Sequence, residues 1–379
     1  MIIRRNPGAI NVPPPPNGFL ELVVKLPWVM LAIVVLLGGI GVLALYSAAE
    51  GDWQPWAWRH LIRMGIGVVL MVMVAVVPIW YYRKLSWLGW LGAVAVLVLL
   101  EFIGTGTGVQ RWVSVGGFNL QPSEPTKLAV VMVLAAYFHG MNPERIMMFR
   151  SYIPAFVLAL VPFVQVLLQP DLGTSVMLLG SAAAVIFVAG MPFRFIGAVV
   201  AAVALAMPVM WSQLYQYQRD RLIVFFNPGA DQLGAGYQIT QSKIALGSGG
   251  LMGKGYLQGS QSRLNYLPEK QTDFVFTMIG EEFGFVGCLF IIGLYITLIV
   301  LILRTGMRLR YHFSRLMVAG IAMMLFLFMF INIGMVTGLL PVVGAPLPLI
   351  SYGGTAMMTV FIAMGLIISA IVHDQEGLD

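Results

Sequence analysis

The residues best suited to chemistry in this sequence lie at the edges of its long apolar runs. QPSEPTK carries Glu124 and Lys127, three apart and therefore on one face of the helix that Ser123 and Pro125 are suited to start. An acid and a base so placed read either as an interfacial ion pair or as the mark of a polar cavity at the mouth of a helix bundle. Arg111 and Trp112, just upstream, suit a boundary with lipid headgroups, where an indole anchors and a guanidinium grips phosphate. In QPDLGT, Asp171 stands near another boundary, either as the N-cap of a helix from Leu172 or as a reactive group. Asp273 closes LPEKQTD directly before the run that opens at Phe274, which sets a carboxylate on top of a span; simple exposure to solvent is the plain alternative. Glu281 and Glu282 follow about two turns deeper, where ionised side chains are costly and take paired or functional roles.

The elements that must hold these residues are membrane helices. Of 379 residues, 59% are hydrophobic and 10% charged, against roughly 25% charged in a soluble domain, so a water-soluble fold is excluded. The expected class is an all-α integral membrane protein of about ten transmembrane helices, near 27–48, 63–82, 85–103, 124–138, 151–168, 172–189, 194–214, 274–303, 315–340 and 352–372. A long extracytoplasmic loop, 212–272, separates spans seven and eight. Basic residues crowd the short segments of one side, from Arg4 and Arg5 through Arg83, Lys84, Arg145, Arg150 and Arg194 to Arg304, Arg308, Arg310 and Arg315. That side is expected to be cytoplasmic and to hold both termini. The organisation is thus a cytoplasmic tail over 1–26, a membrane domain over 27–373 and a cytoplasmic tail over 374–379. The first of these, with its Pro13 to Pro16 run, reads as a flexible basic arm and not as a cleavable signal.

Composition narrows the function further. The net charge of +6 serves topology and anionic lipid in a membrane protein, so nucleic acid is not an expected partner. One cysteine, Cys288, allows neither an internal disulfide nor a cysteine-based metal cluster. The stretch GSGGLMGKG superficially suggests a phosphate loop, but Ser248 stands where the first glycine belongs and Gly255 where Ser or Thr should hold magnesium. Its glycines are expected to pack the loop tightly on the bundle.

The segments GVQRW, QPSEPTK, QPDLGTS, YQRDRL, QSKIALGSGGLMGKG, LPEKQTDFVF and NIGMVTGLLPVVGAPLPLISYGGT, in this order, make the chain resemble the shape, elongation, division and sporulation (SEDS) family. The likeness covers nearly the whole chain, and its long loop is closer to the elongation branch than to the division branch. The resemblance implies a lipid II polymerase that makes glycan strands on the outer face of the bacterial inner membrane, an inverting glycosyltransferase releasing undecaprenyl pyrophosphate. It also implies a class B penicillin-binding protein as transpeptidase partner, alongside other membrane proteins of the elongation complex. Asp273 matches the family's essential aspartate and is the expected general base, and a ligand to a divalent cation such as magnesium or manganese. Arg111 and Lys127 are the expected stabilisers of the pyrophosphate, with Arg63, Arg219 and Arg221 as further candidates, Trp112 at the lipid boundary, and Glu124 holding Lys127. The competing class is a lipid II flippase or other lipid transporter, which needs a polar path from face to face. A structural scaffold for the elongation machinery would need no Asp273 at the surface. The run 315–340, rich in Met and Phe, is a candidate contact helix for the partner through Met324, Phe328, Phe330 and Asn332, its own bundle being the other destination for these side chains.

Overall fold

A computed structural model describes residues 26–103, 111–115, 118–213, 216–226, 234–260 and 269–374. Its helices in chain order are α1 (Trp28–Ala48), α2 (Ala57–Val76), α3 (Ile79–Ile103), α4 (Ser123–Phe138), the single turn α5 (Pro143–Ile146), α6 (Tyr152–Leu168), α7 (Leu172–Val188), α8 (Phe193–Gln213), α9 (Gln216–Phe226), α10 (Ala235–Ser248), α11 (Val275–Arg308), α12 (His312–Thr337) and α13 (Gly354–Val372). Nine of the ten expected runs each overlap one of these helices, and the second, 63–82, runs from α2 past Pro78 into α3. Among the described residues seven helical stretches are long and apolar enough to cross a bilayer, and α7 and the apolar part of α8 are shorter, so the expected count of ten spans is not itself established. The second run needs correction. Arg59, His60 and Arg63 lie inside α2, which starts six residues earlier than expected, and Pro78, with no N–H to donate, separates it from α3.

The core forms around α4, α12 and α13. Among the described residues α12 and α13 bury most of their length, and α4 turns Val130, Val131, Val133, Leu134 and Phe138 fully inward. Apolar burial alone drives little in lipid, so close approach of small residues must do the packing. At Gly365 of α13 a methyl group would come 2.7 Å from the Met71 carbonyl of α2, and at Gly67 of α2 it would strike the Phe361 ring. The outward faces of α2, α3 and α8 remain apolar and exposed, as a lipid-facing surface requires.

The described part of the expected exterior loop is more regular than its composition suggests. α10 packs against α11 and α12, where Ser242 Oγ lies 2.7 Å from Thr277 Oγ1 and donates to the Val336 carbonyl at 2.7 Å. The glycine-rich stretch after it docks on a break in α11. Gly284 leaves the helical region there (φ 66°, ψ −163°), and the loop supplies the missing ladder. Lys254 N donates to Glu281 O, Gly255 N to Glu282 O, Phe285 N to Gly250 O and Val286 N to Leu251 O, at 2.9 to 3.2 Å. A break in membrane-level backbone survives only when protein groups satisfy it, and here they do.

Glu281 and Glu282, flanking this break, are both paired. Glu281 Oε1 accepts from Lys254 Nζ at 2.6 Å and from Ser260 N at 2.9 Å, and Glu282 accepts from Ser47 Oγ of α1. The glycine stretch therefore serves close packing. Gly253 shows why: a methyl group there would lie 2.0 Å from Glu282 O, on a backbone already at φ +82°.

Candidate active site

Asp273 lies two residues before α11, half-buried, with its backbone tied to α12 and its carboxylate against the coil that follows α12. Asn332 of α12, itself fully buried, donates from Nδ2 to the Asp273 carbonyl at 2.9 Å and to the Ala345 carbonyl at 2.7 Å. A methyl group on Gly344 would stand 3.3 Å from Asp273 Oδ2, so the carboxylate lies directly against that backbone, which at φ +73° favours glycine. Two residues earlier, the Gln271 carbonyl accepts from Tyr352 N at 2.9 Å.

These partners belong to a coil, 338–353, that leaves α12 at the left-handed Gly338 and turns back into the bundle before α13. Its Leu347, Leu349 and Ile350 are buried. Irregular backbone at that depth needs its polar groups satisfied. Leu347 N donates to Ser351 Oγ at 2.8 Å, the Leu349 carbonyl meets His60 Nε2 at 2.9 Å, and the Pro348 carbonyl accepts from the Tyr295 hydroxyl. The coil thus carries the Asp273 environment on a fixed support.

Glu124 and Lys127 form the expected pair, Nζ to Oε1 2.9 Å, inside the bundle and not at its rim. Lys127 has no exposed surface and Glu124 is 2% exposed. The ammonium also lies 3.9 Å from the centroid of the Phe328 ring. Phe328 is one turn from Asn332 on α12, so the charged pair sits about a turn beneath the Asp273 backbone. Glu124 Oε2 is buried with no hydrogen-bond partner among the described residues.

Asp171 caps α7 by accepting from Thr174 N at 3.1 Å, and it also accepts from Gln121 Nε2 at 2.7 Å. Gln121 N donates to Thr355 Oγ1 at 3.1 Å, which joins the entry to α4 to the first turn of α13. The next glycine of α7 meets the same coil: a methyl group on Gly173 would lie 3.1 Å from Val343 O. Asp171, Glu124, Lys127 and Asp273 therefore surround one end of the bundle.

The cations expected at the pyrophosphate do not all converge there. Arg111 donates from Nε to the Gln169 carbonyl at 2.6 Å and from Nη2 to the Pro170 carbonyl, so it clamps the α6–α7 turn. Trp112 beside it is exposed, as a boundary residue should be. Arg219 closes the end of α8 through the Trp211 and Ser212 carbonyls. The Arg221 side chain lies outside the described residues. Arg63 lies over the Tyr352 ring, 4.3 Å from its centroid, at the N-terminus of α13, and no carboxylate pairs with it among the described residues. A positive helix end and an unpaired guanidinium together suit an anion.

Among the described residues no three His, Cys, Asp or Glu side chains converge, so a divalent cation here would have Asp273 as its protein ligand and would complete its shell from substrate phosphate and water. Sequence reasoning gave Asn332 to a partner helix and did not weigh His60 or Gln121. Polar side chains such as Asn332 and His60 inside apolar runs were the available signal. Met324 and Phe328 are likewise turned fully inward, and of the four proposed contact residues only Phe330 is exposed. The cause is helical phase: 324, 328, 331, 332 and 335 share the buried face of α12.

A polytopic helical bundle with Asp171, Glu124, Lys127 and Asp273 gathered at one mouth defines a membrane protein built for polar chemistry at a bilayer surface. The chain belongs to the FtsW/RodA/SpoVE family, described as cell cycle protein, whose profile matches residues 24–376. The peptidoglycan glycosyltransferase MrdB of Escherichia coli K12 is 40% identical over 349 residues, 91% of this chain and 93% of that protein. The probable peptidoglycan glycosyltransferase FtsW of Pseudomonas fluorescens is 34% identical over 359 residues, 91% and 88% of the two chains. A chain from a solved peptidoglycan synthase complex, described as coordinating polymerization and crosslinking, superposes with a TM-score of 0.79 at 28% identity, over 93% of this chain and 98% of that one.

Proposed function

We propose that this chain is a peptidoglycan glycosyltransferase that polymerises lipid II into glycan strands during cell elongation. The observation that carries the reading is Asp273 at the bundle mouth, its backbone carbonyl held by Asn332 and its carboxylate against Gly344. The greater identity to MrdB than to FtsW supports the elongation branch. The reaction needs a base for the acceptor sugar hydroxyl. As its oxygen attacks the donor's anomeric carbon, its proton passes to Asp273, and the bond from that carbon to the pyrophosphate oxygen breaks with its electron pair leaving on undecaprenyl pyrophosphate. A positioned base contributes about 10² to 10⁴ in rate. Arg63 and the N-terminus of α13 are the groups available to the departing pyrophosphate. Glu124 and Lys127 support the site from beneath, and their pairing keeps that interior from holding an isolated charge.

In this reading the chain lies in the bacterial inner membrane, its termini in the cytoplasm and Asp273 on the far side, as the basic loops require. Its partner is a class B penicillin-binding protein, in line with the complex in which the solved relative was described. The flippase alternative needs a polar path, yet below Phe328 the inward face of α12 is Leu325, Met324, Ile321, Val318 and Met317. Purified protein given fluorescent lipid II in detergent should yield a ladder of glycan strands. Transbilayer movement of lipid II in vesicles without any strand product would assign the chain to transport instead.

A further inference from the structure

The opposite, basic end of the bundle holds a cluster that polymerisation does not use. Arg83 comes from the start of α3, His139 from the end of α4, and Tyr311 and His312 from the link between α11 and α12. The His139 ring centroid is 4.7 Å from that of Tyr311 and 6.4 Å from that of His312, and the Arg83 guanidinium lies 5.7 Å from the Tyr311 centroid. Arg315, exposed, adds a further cation beside His312. Asp374 reaches the same link, but its carboxylate accepts from Arg310 N at 2.8 Å and Tyr311 N at 3.2 Å, and no carboxylate pairs with Arg83 among the described residues.

Two polar atoms in this cluster are buried without a partner among the described residues: the Tyr311 hydroxyl and His139 Nδ1. Tyr311 is only 2% exposed, whereas Arg83, His139 and His312 are half-buried and form the open side. A buried hydroxyl or imidazole nitrogen with no hydrogen bond is a deficit that native structures normally fill. Here Arg83 and His312 present donors and positive charge while the Asp374 carboxylate is engaged by the Arg310 and Tyr311 N–H groups, and α12 begins at this point with no side-chain cap on its positive end. Burial, Arg83 and His312 together hold His139 down to about 4, so at neutral pH it waits uncharged for an anion to stabilise its proton. The neighbouring boundary carries the Trp80 and Tyr81 rings, stacked, with Lys84 over Trp80, the residue types that settle at a headgroup layer.

We propose that Arg83, His139, Tyr311 and His312 form a binding site for a phosphate-bearing anion, either the headgroup of an anionic phospholipid or free phosphate. Arg83 supplies the fixed charge, the Tyr311 hydroxyl and the imidazole N–H groups supply donors, and basic pockets between helices on this side of a membrane suit anionic headgroups. Binding would charge His139 and raise its pKa.

The full-length protein in a neutral detergent is titrated separately with short-chain phosphatidylglycerol, phosphatidylcholine and inorganic phosphate. Native mass spectrometry counts retained lipid, and ring-carbon NMR follows His139, its signal assigned with His139→Gln. The expected result is phosphatidylglycerol retained several-fold over phosphatidylcholine, a His139 pKa raised by at least one of the anions, and retention lowered about fivefold in Arg83→Gln and Tyr311→Phe but kept in Arg83→Lys. Retained phosphatidylglycerol that inorganic phosphate does not displace identifies a headgroup site, and a His139 shift saturating with inorganic phosphate alone identifies a free-phosphate site. Equal retention of both lipids by the wild type, with no change at His139 under either anion, overturns the proposal without relying on any variant's folding.

Discussion

In the proposed reaction Asp273 faces the substrate, Asn332 fixes the Asp273 backbone, and the Glu124–Lys127 pair fills the interior beneath. Removing either member of the pair leaves a charge buried without its partner, which costs about 3 to 5 kcal/mol. Glu124→Ala and Lys127→Ala should each lower activity and melting temperature sharply, and the double variant should fall short of their sum. A double-mutant cycle that comes out additive would show the two act independently. Asn332→Ala strands the buried Ala345 carbonyl, at about 1 to 3 kcal/mol, and frees the part-buried Asp273 carbonyl. Its turnover should drop more than its KM rises, because the substrate surface stays while Asp273 loosens; Asn332→Asp, which when ionised donates to neither carbonyl, should not restore it. Wild-type turnover in Asn332→Ala would remove Asn332 from this scheme.

At the scale of elements, the described part of the long loop is bound to α11, the helix that Asp273 precedes by two residues. Gly253 meets the Glu282 carbonyl and Gly284 breaks α11 to receive it, so Gly253→Ala should destabilise the protein by more than about 2 kcal/mol. Gly247 in α10 has open space around its Cα, and Gly247→Ala should be neutral or stabilise by up to about 1 kcal/mol. Thermal melts in detergent compare the two; an equal effect would mean the docking carries no strain. The spans were legible because runs of apolar residues ended by charges or proline leave few alternatives. The coil at 338–353 and the docked loop were not, since both depend on single long-range bonds, such as Tyr352 N to the Gln271 carbonyl, that no local periodicity encodes. At the site the residue types and the Glu124–Lys127 spacing were readable, but not the depth of that pair or the inward turn of Asn332, which depend on the packing of α4 against α12.

For the whole molecule, the exposed side of α12 decides where a partner helix can lie. Phe326 and Phe330 stack at 5.5 Å and face outward, whereas Met324 and Phe328 are buried. If a partner's membrane helix packs on α12, cysteines at 326 and 330 should cross-link to it and cysteines at 324 and 328 should not. Cross-links from the buried pair instead would mean that α12 turns in the complex.

All of these levels meet in whether Asp273 takes the proton. The direct measurement is the rate of glycan-strand synthesis from lipid II by the purified wild type and by Asp273→Asn, with melting temperature as the control on folding. Asparagine keeps the size of the side chain but cannot act as a base, so the account predicts a rate lower by about 10² or more at an unchanged melting temperature. Strand synthesis by Asp273→Asn at close to the wild-type rate would contradict it.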